Sequence, residues 1–143
     1  MYKVQKMVPE IYCSDYESSL AFYLGVIGFV IVYERPDERF AYLDLGGAEL
    51  MIEQTVDPSR TLVAGDLIQP YGRGLNLQIT VDSVDLIHTR VVGAGRPIFL
   101  PIEERWYRRA EVEMGQRQFV AADPDGYLLR FCESLGERPH KLH

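Results

Sequence analysis

GQRQFVAADPDGYLLRF, residues 115–131, reads as a strand, a tight turn and a returning strand. Pro124 presets one backbone dihedral and Gly126 accepts a positive φ, so Asp123-Pro124-Asp125-Gly126 is the turn. Upstream, VEMGQRQFVAA carries the first of these strands back to Val112, and IFLPIEERWYR from Ile98 supplies another. Before them, LNLQITV (75–81) is a strand. Asp82 or Ser83 then caps a helix with Val84, Ile87 and Val91 on one face, stopped by Gly93 and Gly95. The order is strand, helix and three strands, the last of them YLLRFCE.

The first half repeats that order. MVPEIYC (7–13) is a short strand that Pro9 places at an edge or a strand start. Ser14 or Asp15 caps the helix that follows, and Glu17 completes a capping-box pattern with Ser14. Tyr16, Leu20, Tyr23, Leu24 and Ile27 fall on one helical face, and Gly28 ends it. FVIVYERP (29–36), RFAYLDL (39–45) and AELMIEQ (48–54) are three strands, the last two joined at Gly46-Gly47. Asp15 and Asp82 stand at equivalent helix starts, so the chain is a tandem of two βαβββ modules.

The fold class is therefore α+β, with curled mixed sheets around a groove. The modules span 7–56 and 75–133 of a single domain, joined by a linker at 57–74 and followed by a C-terminal tail at 134–143 whose last residues, ERPHKLH, are polar and expected to fray. That placement leaves His140 and His143 outside the chemistry. Each module alone is too small to bury a good core, and two sheets laid together leave a concave groove for a ligand.

Composition narrows the function. The chain has 143 residues, 47% hydrophobic and 25% charged, with no apolar run near the ~18 residues a spanning helix requires. MYKVQKMVPEIY lacks the signature of an export signal, so a cytoplasmic location is expected. A formal charge of -6 disfavours nucleic acid and suits a cationic small ligand. Cys13 and Cys132 are read as reduced, packed thiols.

The run DYESSLAFYLGVIGF, the phrase PYGRGLNLQITVD and above all DPDGYLLRF, in register with the repeat, resemble the vicinal-oxygen-chelate superfamily of glyoxalase I, extradiol dioxygenases and the fosfomycin- and bleomycin-resistance proteins. The resemblance covers about residues 7–133. It implies a divalent metal held by His, Glu or Gln on the first and last strand of each module. Carrying those positions over by distance from Asp15, Asp82 and the DPDGY turn gives Val8, Glu53, Asn76 and Arg130. Only Glu53 is a competent ligand, since Arg130 brings a permanent positive charge. The expectation is no metal, no cofactor and no catalytic residue, with Arg130 pairing with Glu53 across the groove from equivalent strands. This departure resembles the bleomycin-resistance branch, which implies a homodimer that sequesters a ligand without altering it. The alternative is a metal-dependent glyoxalase, lyase or extradiol-dioxygenase-like enzyme.

Individual residues supply the candidate ligand contacts. Phe40 and Tyr42 share a strand face ending at Asp44, an aromatic wall with an acidic end. Trp106 and Tyr107 are either a stacking platform or a packed sheet edge, and strand alternation sends them to opposite faces. Tyr71-Gly72-Arg73-Gly74 is read as a turn or dimer contact. No serine sits in a nucleophile elbow, and no histidine precedes Ile87 to serve as its base. The reading is a metal-independent protein binding an aromatic, cationic small molecule, bleomycin-like molecules among the candidates, through Phe40, Tyr42, Glu53, Trp106, Tyr107 and Arg130.

Overall fold

The computed structural model describes residues 3–141. They form two compact units. The first holds the chain up to Tyr71 together with Asp123–Gly126, and the second holds Gly72–Ala122 and the chain from Tyr127 onward.

In the first unit, β1 (Glu10–Tyr12), α1 (Tyr16–Ala21), β2 (Val30–Arg35), β3 (Phe40–Leu45) and β4 (Ala48–Glu53) build a four-stranded sheet of order β1-β4-β3-β2. β1 runs parallel to β4 and the other pairs are antiparallel. Alternation sends Ile11, Ala41, Leu43, Leu50 and Ile52 to one face, where all are buried. The helix packs against β4, and Phe22, Tyr23 and Ile27 complete the core. Each of the Leu, Ile and Phe side chains contributes roughly 1.5–3 kcal/mol of transfer free energy.

The helix differs from its expected form in two ways. Its N-cap is Asp15, whose carboxylate accepts from Ser18 N, and Ser14 is engaged elsewhere. After Ala21 the coil widens into a π-turn, Phe22–Ile27, closed by Gly28 at φ 108°. A wider turn shifts the phase of the apolar stripe, so Ser19 and Phe22 are buried where a regular helix would bury Leu20 and Leu24.

The second unit repeats the plan with β5 (Asn76–Thr80), α2 (Val84–Gly93), β6 (Ile98–Arg109), β7 (Val112–Ala122) and β8 (Leu128–Pro139), in the order β5-β8-β7-β6. Ser83 caps α2 by accepting from Leu86 N, and Val84, Ile87 and Val91 are its buried residues, as their spacing requires. They share a core with Ile79, Phe119, Leu129 and Phe131. The rings of Phe119 and Phe131 stack at 5.4 Å, and His88 meets Phe119 edge-on at 5.0 Å.

The expected frayed tail is a strand as far as Pro139. β8 continues to pair with β7 there, Val112 opposite Pro139 and Gly115 opposite Gly136. The segment is polar on both faces and lacks the alternation that marks a half-buried strand, but a ladder needs only a partner backbone. Glu113 fastens it, accepting from Arg138 Nε at 2.6 Å and meeting His140 Nδ1 at 2.9 Å. His143 lies outside the described residues.

The turn that opened the sequence reading does more than join β7 to β8. Asp123 Oδ2 accepts the Tyr23 hydroxyl at 2.7 Å. Asp125 accepts from Ser14 N at 2.9 Å, from Ser14 Oγ, and from Gln69 Nε2 at 2.7 Å. Both aspartates are buried, and each is satisfied within the first unit.

Both cysteines are free and buried, and burial pushes the Cys13 thiol up to about 12, which makes it inert at neutral pH. No helix among the described residues is long and apolar enough to cross a membrane.

Candidate functional site

The face of the first sheet opposite Ile11, Ala41, Leu43, Leu50 and Ile52 carries Glu10 and Tyr12 on β1, Glu49, Met51 and Glu53 on β4, Phe40 and Tyr42 on β3, and Tyr33 and Arg35 on β2. Its aromatic wall is not the one expected. Phe40 and Tyr42 are almost wholly buried, roofed by Tyr33, which stacks on Tyr42 at 5.1 Å, and by Arg35, whose guanidinium lies 4.0 Å from the Phe40 centroid. Tyr33 is the ring that reaches solvent. A register shift between Ile31 and Tyr33 brings it opposite Tyr42, and a bulge leaves no mark in the alternation VIVYER. The Tyr42 hydroxyl donates to Glu49 Oε2 at 2.9 Å, and burial, with Glu49 beside it, raises the phenol to about 12. Tyr42 is therefore an uncharged donor committed to Glu49.

At the β1–β4 end of this face lies a cavity of about 420 Å³, lined by Glu10, Tyr12, Arg35, Glu38, Glu53 and the loop residues 55–57 and 60–62. Its volume is within the range of small-molecule sites. The loop is tied down where Leu62 N donates to the Tyr12 hydroxyl at 2.9 Å. Four carboxylates (Glu10, Glu38, Glu53, Asp57) face two guanidiniums (Arg35, Arg60), so the lining is net negative. Arg35 is already engaged by Glu38. Burial raises the Glu53 carboxyl above the usual range, and repulsion from Glu10 and Glu38 adds to it against the opposing effect of Arg35. Among the described residues of its own unit, the Glu53 carboxylate has no hydrogen bond or ion pair.

The other three candidates lie in the second unit. Arg130 is on β8, and Gln78 is its partner across the parallel ladder. Tyr107 accepts from Gln118 Nε2 at 2.7 Å. Trp106 is spent on packing: its ring lies over Gly115, where an added Cβ would come within 2.6 Å, and under the Arg138 guanidinium at 4.1 Å. Gly115→Ala is accordingly expected to displace the ring, lower stability by about 1–3 kcal/mol and shift the emission of this sole tryptophan. Urea melts followed by fluorescence check it.

With this geometry in view, known proteins supply the comparison. A family-wide sequence profile, the Glyoxalase/Bleomycin resistance protein/Dioxygenase superfamily, matches residues 6–131. The chain belongs to this superfamily. Among solved structures it is similar to TioX from Micromonospora sp. ML1, at 26% identity and a TM-score of 0.71, covering 92% of this chain and 100% of that one. A protein of unknown function from Agrobacterium tumefaciens str. C58 is 24% identical, with a TM-score of 0.68 and coverage of 94% and 98%. A superfamily member from Vibrio splendidus 12B01 is 37% identical over 88% of this chain and 95% of that one, with a TM-score of 0.40. No curated protein matches.

For this superfamily member the metal positions can now be read from hydrogen-bond register. Cys13 N donates to Glu53 O as Val81 N donates to Cys132 O, both at 2.9 Å. Counting back along these ladders, Met51 stands in the first unit where Arg130 stands in the second, and Val8 where Asn76 stands. Sequence distance had put Glu53 in that place. Its true counterpart is Cys132, so Glu53 and Arg130 are not equivalent. The register set is Val8, Met51, Asn76 and Arg130: no imidazole, no carboxylate and one fixed positive charge. It does not fit a divalent ion.

Proposed function

We propose that this chain is a metal-independent small-molecule binder that takes up an organic cation bearing a flat apolar group and releases it unchanged. One observation carries the reading. Glu53 presents a part-buried carboxylate to a net-negative cavity with no partner in its own unit, on a sheet face surfaced by Tyr33. A protonated amine or guanidinium would meet Glu53 and Glu10, and its ring would lie along Tyr33, where offset stacking adds about 0.5–1.5 kcal/mol beyond burial. Phe40 and Tyr42 act beneath as support for Tyr33. The superfamily resemblance extends the proposal to a cytoplasmic homodimer, with bleomycin-like molecules as candidate ligands. Trp106 and Tyr107 remain in it as parts of the second unit's framework.

The test is calorimetry with metal-free bleomycin and with benzylamine, beside mass spectrometry of the recovered ligand and sedimentation for subunit count. Saturable binding at unchanged ligand mass, weakened about tenfold or more in Glu53→Gln, is expected. Absence of binding to either probe, or turnover that a chelator abolishes, would sink the proposal.

Glu53 also has a signature in stability. Its carboxyl is raised on folding, so the native state holds the proton more tightly than the unfolded chain, and stability falls as pH rises from about 4.3 through the native value. Glu53→Gln is therefore expected to melt at a higher temperature than wild type at pH 7. The gain should vanish once both states are protonated at low pH. Ligand affinity should fall over the same interval as pH drops.

A further inference from the structure

β8 places Arg130 between Leu129 and Phe131, both closed to solvent in the core beside α2, so alternation turns Arg130 to the opposite face of the second sheet. Its neighbours there are neutral. Gln78 is its partner on β5 and Val120 its partner on β7, with Asn76 and Thr80 further along β5 on the same face. Among the described residues the Arg130 guanidinium makes no hydrogen bond or ion pair, and its Nε is buried without a partner. A guanidinium has five N–H donors and keeps its charge at any pH the fold survives. Holding one partly desolvated and uncompensated is unfavourable, so the structure has left a charge unsatisfied.

The acceptors on the same face of its sheet are otherwise engaged or turned away. Glu103, on the same face, accepts from Gln118 Nε2 at 2.9 Å. Gln118 is only 2% exposed, and the same nitrogen donates to Tyr107 at 2.7 Å. A carboxylate can only accept, which fixes the orientation of this amide and turns its oxygen away. That oxygen, too, is buried without a partner. Gln118 sits one ladder step diagonally from Arg130 on this face, yet Arg130 Nε does not use it. The acceptor that Arg130 lacks is not supplied by its own sheet.

We infer that Arg130 is an anion hook: it binds a carboxylate of a small ligand through its planar fork, with the amides of Gln78 and Asn76 flanking the bound oxygens. A single guanidinium among neutral amides matches one negative charge. The flat two-donor edge matches a carboxylate's two oxygens, and a chain of net charge -6 does not favour more highly charged anions. The site lies in the second unit and is independent of the cation reading.

The experiment follows the arginine Nε–H resonances of the intact protein by nitrogen-15 NMR during titration with benzoate. Benzamide serves as the uncharged isostere. The Arg130 signal should move saturably with benzoate and not with benzamide, and Arg130→Gln should weaken benzoate at least about tenfold. Arg130→Lys, which keeps the charge and loses the fork, should fall between them, and it carries the test should Arg130→Gln not fold. Glu53→Gln should leave benzoate binding unchanged while weakening benzylamine, so either reading can fail alone. Equal responses to benzoate and benzamide, wild-type benzoate affinity in Arg130→Gln, or a changed subunit count with benzoate binding intact would each overturn the assignment.

Discussion

Asp125→Ala is expected to lower the free energy of unfolding by about 3 kcal/mol or more, a fall in melting temperature of roughly 6–12 °C for a chain this long. The side chain is 1% exposed and accepts from Ser14 N, Ser14 Oγ and Gln69 Nε2. Alanine removes a buried acceptor from three donors at once, and hydrogen bonds to a charged acceptor are the stronger kind. Asp125→Asn separates geometry from charge. Its amide oxygen still accepts, but its NH2 faces donors, so a loss between wild type and alanine is expected. Denaturant melts at unchanged slope are the measurement. A loss below about 1 kcal/mol, the size of an ordinary surface change, would mean that the turn is not anchored as described.

Gly72→Ala is expected to cost about 2–5 kcal/mol, and the reason is separable into two parts. Gly72 sits at φ 72°, a left-handed conformation that costs a side chain about 1–2 kcal/mol. A Cβ there would also come within 2.4 Å of the Tyr127 ring, which is buried, adding about 1–3 kcal/mol. Gly74 is the control: its φ is 90° and nothing stands within 4 Å of its virtual Cβ, so Gly74→Ala should show the backbone part alone. Repeating Gly72→Ala in a Tyr127→Ala background should reduce its penalty to that of Gly74→Ala. Equal penalties at the two glycines in the wild-type background would remove the steric part of the argument.

These variants show what the sequence alone made legible. The sequence marks Tyr71-Gly72-Arg73-Gly74 as a turn or dimer contact, and what Gly72 provides is a close approach to the tyrosine of DPDGY in its own unit. The eight strands, both helices and the caps at Ser83 and Gly28 follow from alternation, period and turn chemistry, which are local and therefore visible in the sequence. What stayed hidden was non-local. Tyr33 owes its position to a bulge, the matching of Met51 with Arg130 to register between strands far apart in the chain, and the strand at 134–139 to a partner ladder. Ser14 looked like a helix cap because a capping serine and a serine bound to a distant aspartate have the same local sequence. For the site, residue types were legible and occupancy was not. Glu53 and Arg130 could be picked out as charges on final-strand positions, whereas Trp106's engagement with Gly115 and Arg138 could not.

The grouping of Asp123–Gly126 with the first unit has a consequence for the order in which the chain is made. A ribosome finishes residues 1–71 long before it reaches the turn, and through that interval Tyr23 and Ser14 have hydroxyls without their acceptors. Until then the first unit lacks four of its own residues, which arrive more than fifty positions later. Its maturation is gated by translation of the C-terminal half, so a chain arrested between the two would expose an unfinished first unit to the proteases of the cell.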